Sequence, residues 1–139
     1  MSKENVETVL RVFEAFDRRE ERAMFAAYAP DVEWSLVNYT SWPETPVYHG
    51  HEGIRSFFRT WLQDFERYET RALDPLDLGD KVLVTVYDRA EGKGSGVPIE
   101  RYHAQVWFFR DGRAVRVEVW DTREDALRTY APEGEREGG

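Results

Sequence analysis

The stretch from Val97 to Asp121 reads V-P-I-E-R-Y-H-A-Q-V-W-F-F-R-D-G-R-A-V-R-V-E-V-W-D, two alternating segments joined at Asp111-Gly112. Alternation with a two-residue period marks strands, and Asp-Gly between two such runs is a strong hairpin signal. The C-terminal part is therefore constrained to an antiparallel hairpin whose residues sort onto two faces. One face of the first strand carries Val97, Ile99, Arg101, His103, Gln105, Trp107 and Phe109. A row that is apolar at both ends but holds Arg, His and Gln in its middle is a poor core and a good pocket wall. The opposite row, Tyr102, Ala104, Val106 and Phe108 with Trp120, predicts a broad outward apolar surface. Surfaces of that kind mark interfaces, so a homodimer through this sheet face is expected.

The rest of the chain supplies partners for such a sheet. Residues 4–18 place Val6, Val9, Leu10, Phe13 and Phe16 at three- and four-residue spacings, an amphipathic helix. A short helix over about 20–29, closed by Pro30, and a strand over 31–37 with Val32, Trp34 and Leu36 facing inward follow. The segment 38–50 is rich in Pro, Thr and Ser yet carries Tyr39, Trp42 and Tyr48, which suits either a rim over a site or a loop tucked against its own domain. Ile54, Phe57, Phe58, Trp61, Leu62 and Phe65 predict the main core helix over about 51–68. Strands are expected at about 70–78, 81–90, 97–110 and 113–120, with Gly79-Asp80 as a further hairpin turn. Asp121-Thr-Arg-Glu124 has the form of a capping box for a last helix to about Tyr130, and the acidic tail 131–139 reads as disordered. Helices first and then hairpin-linked strands give an α+β class, with helices on one face of a curved antiparallel sheet. Residues 1–130 are expected to form one domain.

Composition narrows the function. A net charge of −8 with no basic stripe argues against nucleic acid, where phosphates demand clustered Lys and Arg. Zero Cys excludes thiol chemistry and disulfides. No run approaches the ~20 apolar residues of a membrane span. The polar start, Met1–Glu7, lacks the apolar run of a signal peptide, so a cytoplasmic protein is expected. Aromatic residues make up 14% of the chain, including five Trp, ample for a core with a lined cavity.

Three segments, E-N-V-E-T-V-L-R-V-F-E-A-F-D at 4–17, A-P-D-V-E-W at 29–34 and Y-H-G-H-E-G-I-R-S-F-F at 48–58, resemble the SnoaL-like group of the nuclear transport factor two-like superfamily. F-F-R-D-G-R-A-V-R-V-E-V-W-D at 108–121 and R-E-D-A-L at 123–127 extend the resemblance to about residues 4–130. It implies a conical sheet around a long helix, a pocket at one end, frequent dimerisation, and acid–base side chains acting without metal or organic cofactor. The superfamily's ketosteroid isomerases use a carboxylate on the first strand, a Tyr on the first helix and an Asp on a central strand. Trp34, Val12 and Gln105 stand near those positions, so steroid isomerase activity is not expected. Asp88, Arg101 and Asp121 have the residue types of its epoxide hydrolases, without a residue-by-residue match.

His103 is the leading catalytic candidate, since a neutral imidazole takes a proton near neutral pH; the alternative is a buried, hydrogen-bonded His. Asp88 ends the inward series Val82, Val84, Val86 and would orient His103 or Arg101 on the next strand, or else be solvated where the strand leaves the core. Asp121 continues Val115, Val117 and Val119, and is either an acid–base group or the cap of the last helix. Arg101 would hold an anionic group and Gln105 one orienting hydrogen bond. Trp34, Trp107, Tyr39 and Trp42 would shape an apolar cavity, with plain core packing as the other reading for the tryptophans. His49-Gly-His51 lacks acidic partners at ligand spacing, so no metal is expected. Two functions remain. One is a small-molecule-binding, cofactor-independent acid–base enzyme of isomerase, cyclase or hydrolase type acting on a small, partly apolar cyclic metabolite. The other is a non-catalytic ligand-binding or dimerisation module.

Overall fold

The computed structural model describes residues 2–42 and 46–131. Helix α1 (Ser2–Asp17) buries Val9, Val12, Phe13 and Phe16, the stripe that its periodicity sets. The short helix α2 (Glu21–Phe25) is followed by β1 (Tyr28–Asn38), β2 (Val47–His49) and α3 (Gly50–Leu62). Four strands come next, β3 (Phe65–Asp77), β4 (Lys81–Gly92), β5 (Pro98–Arg110) and β6 (Arg113–Trp120), and α4 (Arg123–Tyr130) ends the described chain. The strands form one sheet in the order β2-β1-β6-β5-β4-β3. All neighbours are antiparallel except β1 and β6, which run parallel because a crossover through most of the chain separates them. The sheet is curved and unclosed, an α+β cone, and α1 and α3 fill its concave side.

Asp111 and Gly112 both adopt left-handed backbone, φ 53° and 80°, which the tight turn between β5 and β6 requires. Three boundaries differ from expectation. Pro30 lies inside β1, where the register with β6 is irregular between Tyr28 and Glu33, so its missing N–H breaks no regular rung. The core helix stops at Leu62, and Phe65 and Tyr68 belong to β3, although their spacing continues the helical pattern. The cap of α4 is Thr122, whose hydroxyl accepts from Asp125 N at 3.1 Å, and not Asp121. The tail from Pro132 onward lies outside the described residues.

The expected outward apolar face is covered by the chain itself. Leu83, Ala104, Val106 and Trp120 form a second core beneath Ala126, Leu127 and Tyr130 of α4. Tyr102 remains 64% exposed beside Tyr87, with their rings 5.1 Å apart. Val97 and Ile99, expected on the inner row, are also exposed. No helix among the described residues is long and apolar enough to cross a membrane.

Candidate functional site

The pairing register sets the site. Asp88 stands opposite Arg101 on β5 and opposite Thr70 on β3, while His103 stands opposite Val86 and Gln105 opposite Val84. Alternation then turns Asp88, Thr70, His103, Gln105 and Trp107 into the cone together, where all five line one cavity. The remaining walls are aromatic and aliphatic, supplied by the helices α1, α2 and α3 and by β1, β3, β4 and β6, with Trp34, Phe57 and Trp61 among them. Its free volume is about 50 Å³, and about 540 Å³ of space between atoms once the solvent-facing part is included. Phe16, Met24 and Phe58 also border an outer groove of about 360 Å³ with Arg19, Arg55 and Arg59 on its rim. Met24, with three rotatable bonds, is the most adaptable part of that partition.

Asp88 is 3% exposed and His103 7%, so the strand does not leave the core at Asp88; the solvated alternative is overturned. Asp88 Oδ1 accepts from the Thr70 hydroxyl at 2.8 Å. Its Oδ2 lies 3.2 Å from His103 Nδ1 and 3.7 Å from Arg101 Nε. The Oδ2–Nδ1 approach is close enough for attraction but off the hydrogen-bond axis, so both atoms lack an aligned partner. Trp34 Nε1 is the third buried side-chain atom of the described residues without a partner. All three belong to cavity walls.

The other edge of the imidazole is fully specified. Trp107 Nε1 donates to Gln105 Oε1 at 2.9 Å, and Gln105 Nε2 lies 3.3 Å from His103 Nε2. An indole N–H only donates, so the carboxamide oxygen must face it and the amide N–H₂ must face the imidazole. His103 Nε2 is then the acceptor, and the neutral ring carries its proton on Nδ1, toward Asp88. In this arrangement His103 offers a donor to the cavity and Asp88 Oδ2 an open lone pair.

Arg101 spreads its guanidinium 4.3 Å from the centre of the Trp61 ring. Trp61 Nε1 in turn donates to the Tyr68 hydroxyl at 2.8 Å. Burial, and next the charge of Asp88, push the Tyr68 hydroxyl well above the usual tyrosine range, so it stays a neutral phenol. Burial also raises Tyr39, whose ring lies 5.8 Å from that of His103, but contrary to expectation neither Tyr39 nor Arg101 lines the cavity itself.

Other expected residues sit elsewhere. Asp121 does not line the cavity; its carboxylate accepts from Thr40 N at 3.1 Å and from the Thr40 hydroxyl at 2.9 Å. Trp42 packs on Phe57 and Trp61 without lining the cavity. His49 pairs with Glu33 at 3.8 Å, whereas His51 Nε2 lies 3.1 Å from Tyr28 O, so the two histidines diverge. Tyr68 and Thr70 were missed because that stretch straddles the end of the expected helix. The alternation Tyr68, Thr70, Ala72 was their only signal.

The family model for the SnoaL-like domain matches residues 9–117. No curated protein matches the chain. Among solved structures, an NTF2-like protein of unknown function from Burkholderia pseudomallei is 26% identical, with 94% of this chain and 99% of that one covered and a TM-score of 0.75. TerC, co-crystallised with polyporic acid, is 22% identical over 91% of this chain and 97% of its own, with a TM-score of 0.75. A putative SnoaL-like polyketide cyclase from a Jannaschia species is 17% identical over 95% and 94%, with a TM-score of 0.74.

Proposed function

The chain belongs to the SnoaL-like domain family, and on that premise we propose that it binds a small, partly apolar cyclic metabolite in the cone and moves a proton on it without metal or organic cofactor. The observation that carries this reading is one buried donor–acceptor pair, His103 and Asp88, in a cavity walled mainly by aromatic and aliphatic side chains. Aromatic walls select a ring, and the pair supplies the chemistry. Asp88 Oδ2 has the open lone pair and acts as the base; His103 Nδ1–H supplies the proton or hydrogen bond to developing negative charge. Arg101, 3.7 Å from Oδ2, steadies the carboxylate, and Gln105 holds the imidazole. Asp121 leaves the proton-transfer set and serves to fix the segment that carries Tyr39. The homodimer, if built through the sheet, uses the strip around Tyr87 and Tyr102 beyond α4.

The free volume decides the ligand's size. A cavity that accepts benzene measures roughly 150 Å³, so even one ring requires a side chain to move. Met24 and Phe58 fit that role, because displacing them joins the cavity to the outer groove. The experiment is a screen of cyclic metabolites by ligand-observed NMR, followed by turnover of each binder with native protein and His103→Ala. Loss of at least about a hundredfold in turnover by the variant is expected. Full turnover by His103→Ala overturns the acid–base assignment. A second reading, a binding module without catalysis, is favoured by the capped imidazole Nε2, and binders that never turn over would establish it.

A further inference from the structure

Resting on the reading that ring compounds enter this cavity, we propose that the site recognises a ring hydroxyl, a phenol or enol, at the junction of Asp88 and His103. The argument starts from hydrogen-bonding capacity. Asp88 spends Oδ1 on Thr70 and leaves Oδ2, an acceptor, without an aligned donor. His103 spends Nε2 on Gln105 and leaves Nδ1, a donor in the tautomer that Trp107 and Gln105 impose. The two free atoms are 3.2 Å apart, so one ligand atom reaches both. That atom must accept from Nδ1–H and donate to Oδ2 at once.

Few groups do so. A carbonyl or ether oxygen only accepts, and leaves Oδ2 unmet. An ammonium only donates, and faces the Nδ1–H. A carboxylate brings a second negative charge against Asp88. A hydroxyl satisfies both atoms, and an acidic one, on an aromatic or enolic carbon, makes the stronger bond to a carboxylate. The charged groups facing the junction agree with this. Arg101 on β5 lies 3.7 Å from Oδ2, and Tyr39 and Tyr68 stay neutral beside it. Trp34 Nε1, the remaining unpartnered donor, suits a second oxygen elsewhere on the same ring.

The test compares three probes of similar shape, phenol, anisole and toluene, titrated into the native protein and followed by ¹³C-methyl and aromatic NMR shifts of cavity residues. Phenol is expected to bind at least tenfold tighter than either of the others, since a hydrogen bond to a buried charge is among the stronger ones. The ¹⁵N spectrum of His103 should show a protonated Nδ1 and a bare Nε2. In Asp88→Leu the phenol preference should fall to within about twofold, with toluene retained. Equal binding of phenol and toluene to native protein overturns the hydroxyl assignment alone, as does an unchanged preference in Asp88→Leu or a proton on Nε2. Binding of none of the three overturns the cavity reading itself, and this inference with it.

Discussion

The two faces of the sheet bury polar side chains in opposite ways. On the convex face Glu118 is 5% exposed, yet both its oxygens are partnered: it accepts from Arg116 Nε at 2.9 Å, Trp120 Nε1 at 3.1 Å and the Tyr130 hydroxyl at 2.7 Å. Arg116 continues to Glu33 at 2.6 Å. That network ties α4 to the sheet and leaves neither carboxylate oxygen without a partner. On the concave face, Asp88, His103 and Trp34 are equally buried and each keeps one atom unmet. A buried polar atom without a partner costs about 1–3 kcal/mol. The contrast separates a polar cluster that holds the fold from one that keeps hydrogen-bonding capacity unused.

The sharpest way to break the contrast is Glu118→Ala. It strands an indole N–H and a phenol under α4 and leaves Arg116 with Glu33 alone, and should cost about 3 kcal/mol in urea unfolding. A loss below about 1 kcal/mol would make the convex network dispensable and the comparison empty. Next in size is Met24→Ala on the other side, expected to cost about 2 kcal/mol through lost packing while admitting larger rings from the outer groove, read as tighter binding of a two-ring compound relative to phenol. Thr122→Ala should cost about 1 kcal/mol by uncapping α4, as measured by chemical denaturation. Asp88→Leu is expected to have the smallest effect on stability, within about 1 kcal/mol of native, because the bond lost from Thr70 is offset by removing a buried carboxylate oxygen that lacks an aligned partner. If Asp88→Leu destabilises as much as Glu118→Ala, the concave cluster is structural after all.

The phase of β5 was legible because one uninterrupted alternation ran from Arg101 to Trp107 beside an Asp-Gly turn, and register then brought Asp88 opposite Arg101. The partners of that row were harder to read. Tyr68 and Thr70 follow a helix whose apolar spacing runs on through Phe65 with no glycine or proline to stop it, so periodicity alone carries the helix over Tyr68 and leaves Thr70 at the very start of the next strand, where the phase is unset. The tautomer of His103 depends on Trp107 and Gln105 two residues apart on one face, a spacing that shows proximity but not which atoms meet. The convex side was misread for another reason. Whether Val106 and Trp120 meet solvent depends on where an eight-residue, mostly polar helix folds back, and a helix that short has a weak apolar stripe of its own.

Asp121 sits where β6 hands over to α4, with its backbone N–H on Asn38 O at 3.1 Å and its carboxylate on Thr40. One residue later, Thr122 starts the helix on the outer side. This junction works as a rivet through the rim of the cone, gripping the outer helix by one neighbour and the Tyr39 segment by its own side chain. The segment so held carries Tyr39, whose ring stands 5.8 Å from that of His103. Two consecutive residues, Asp121 and Thr122, thereby fasten both the outer helix and the segment whose ring stands beside His103.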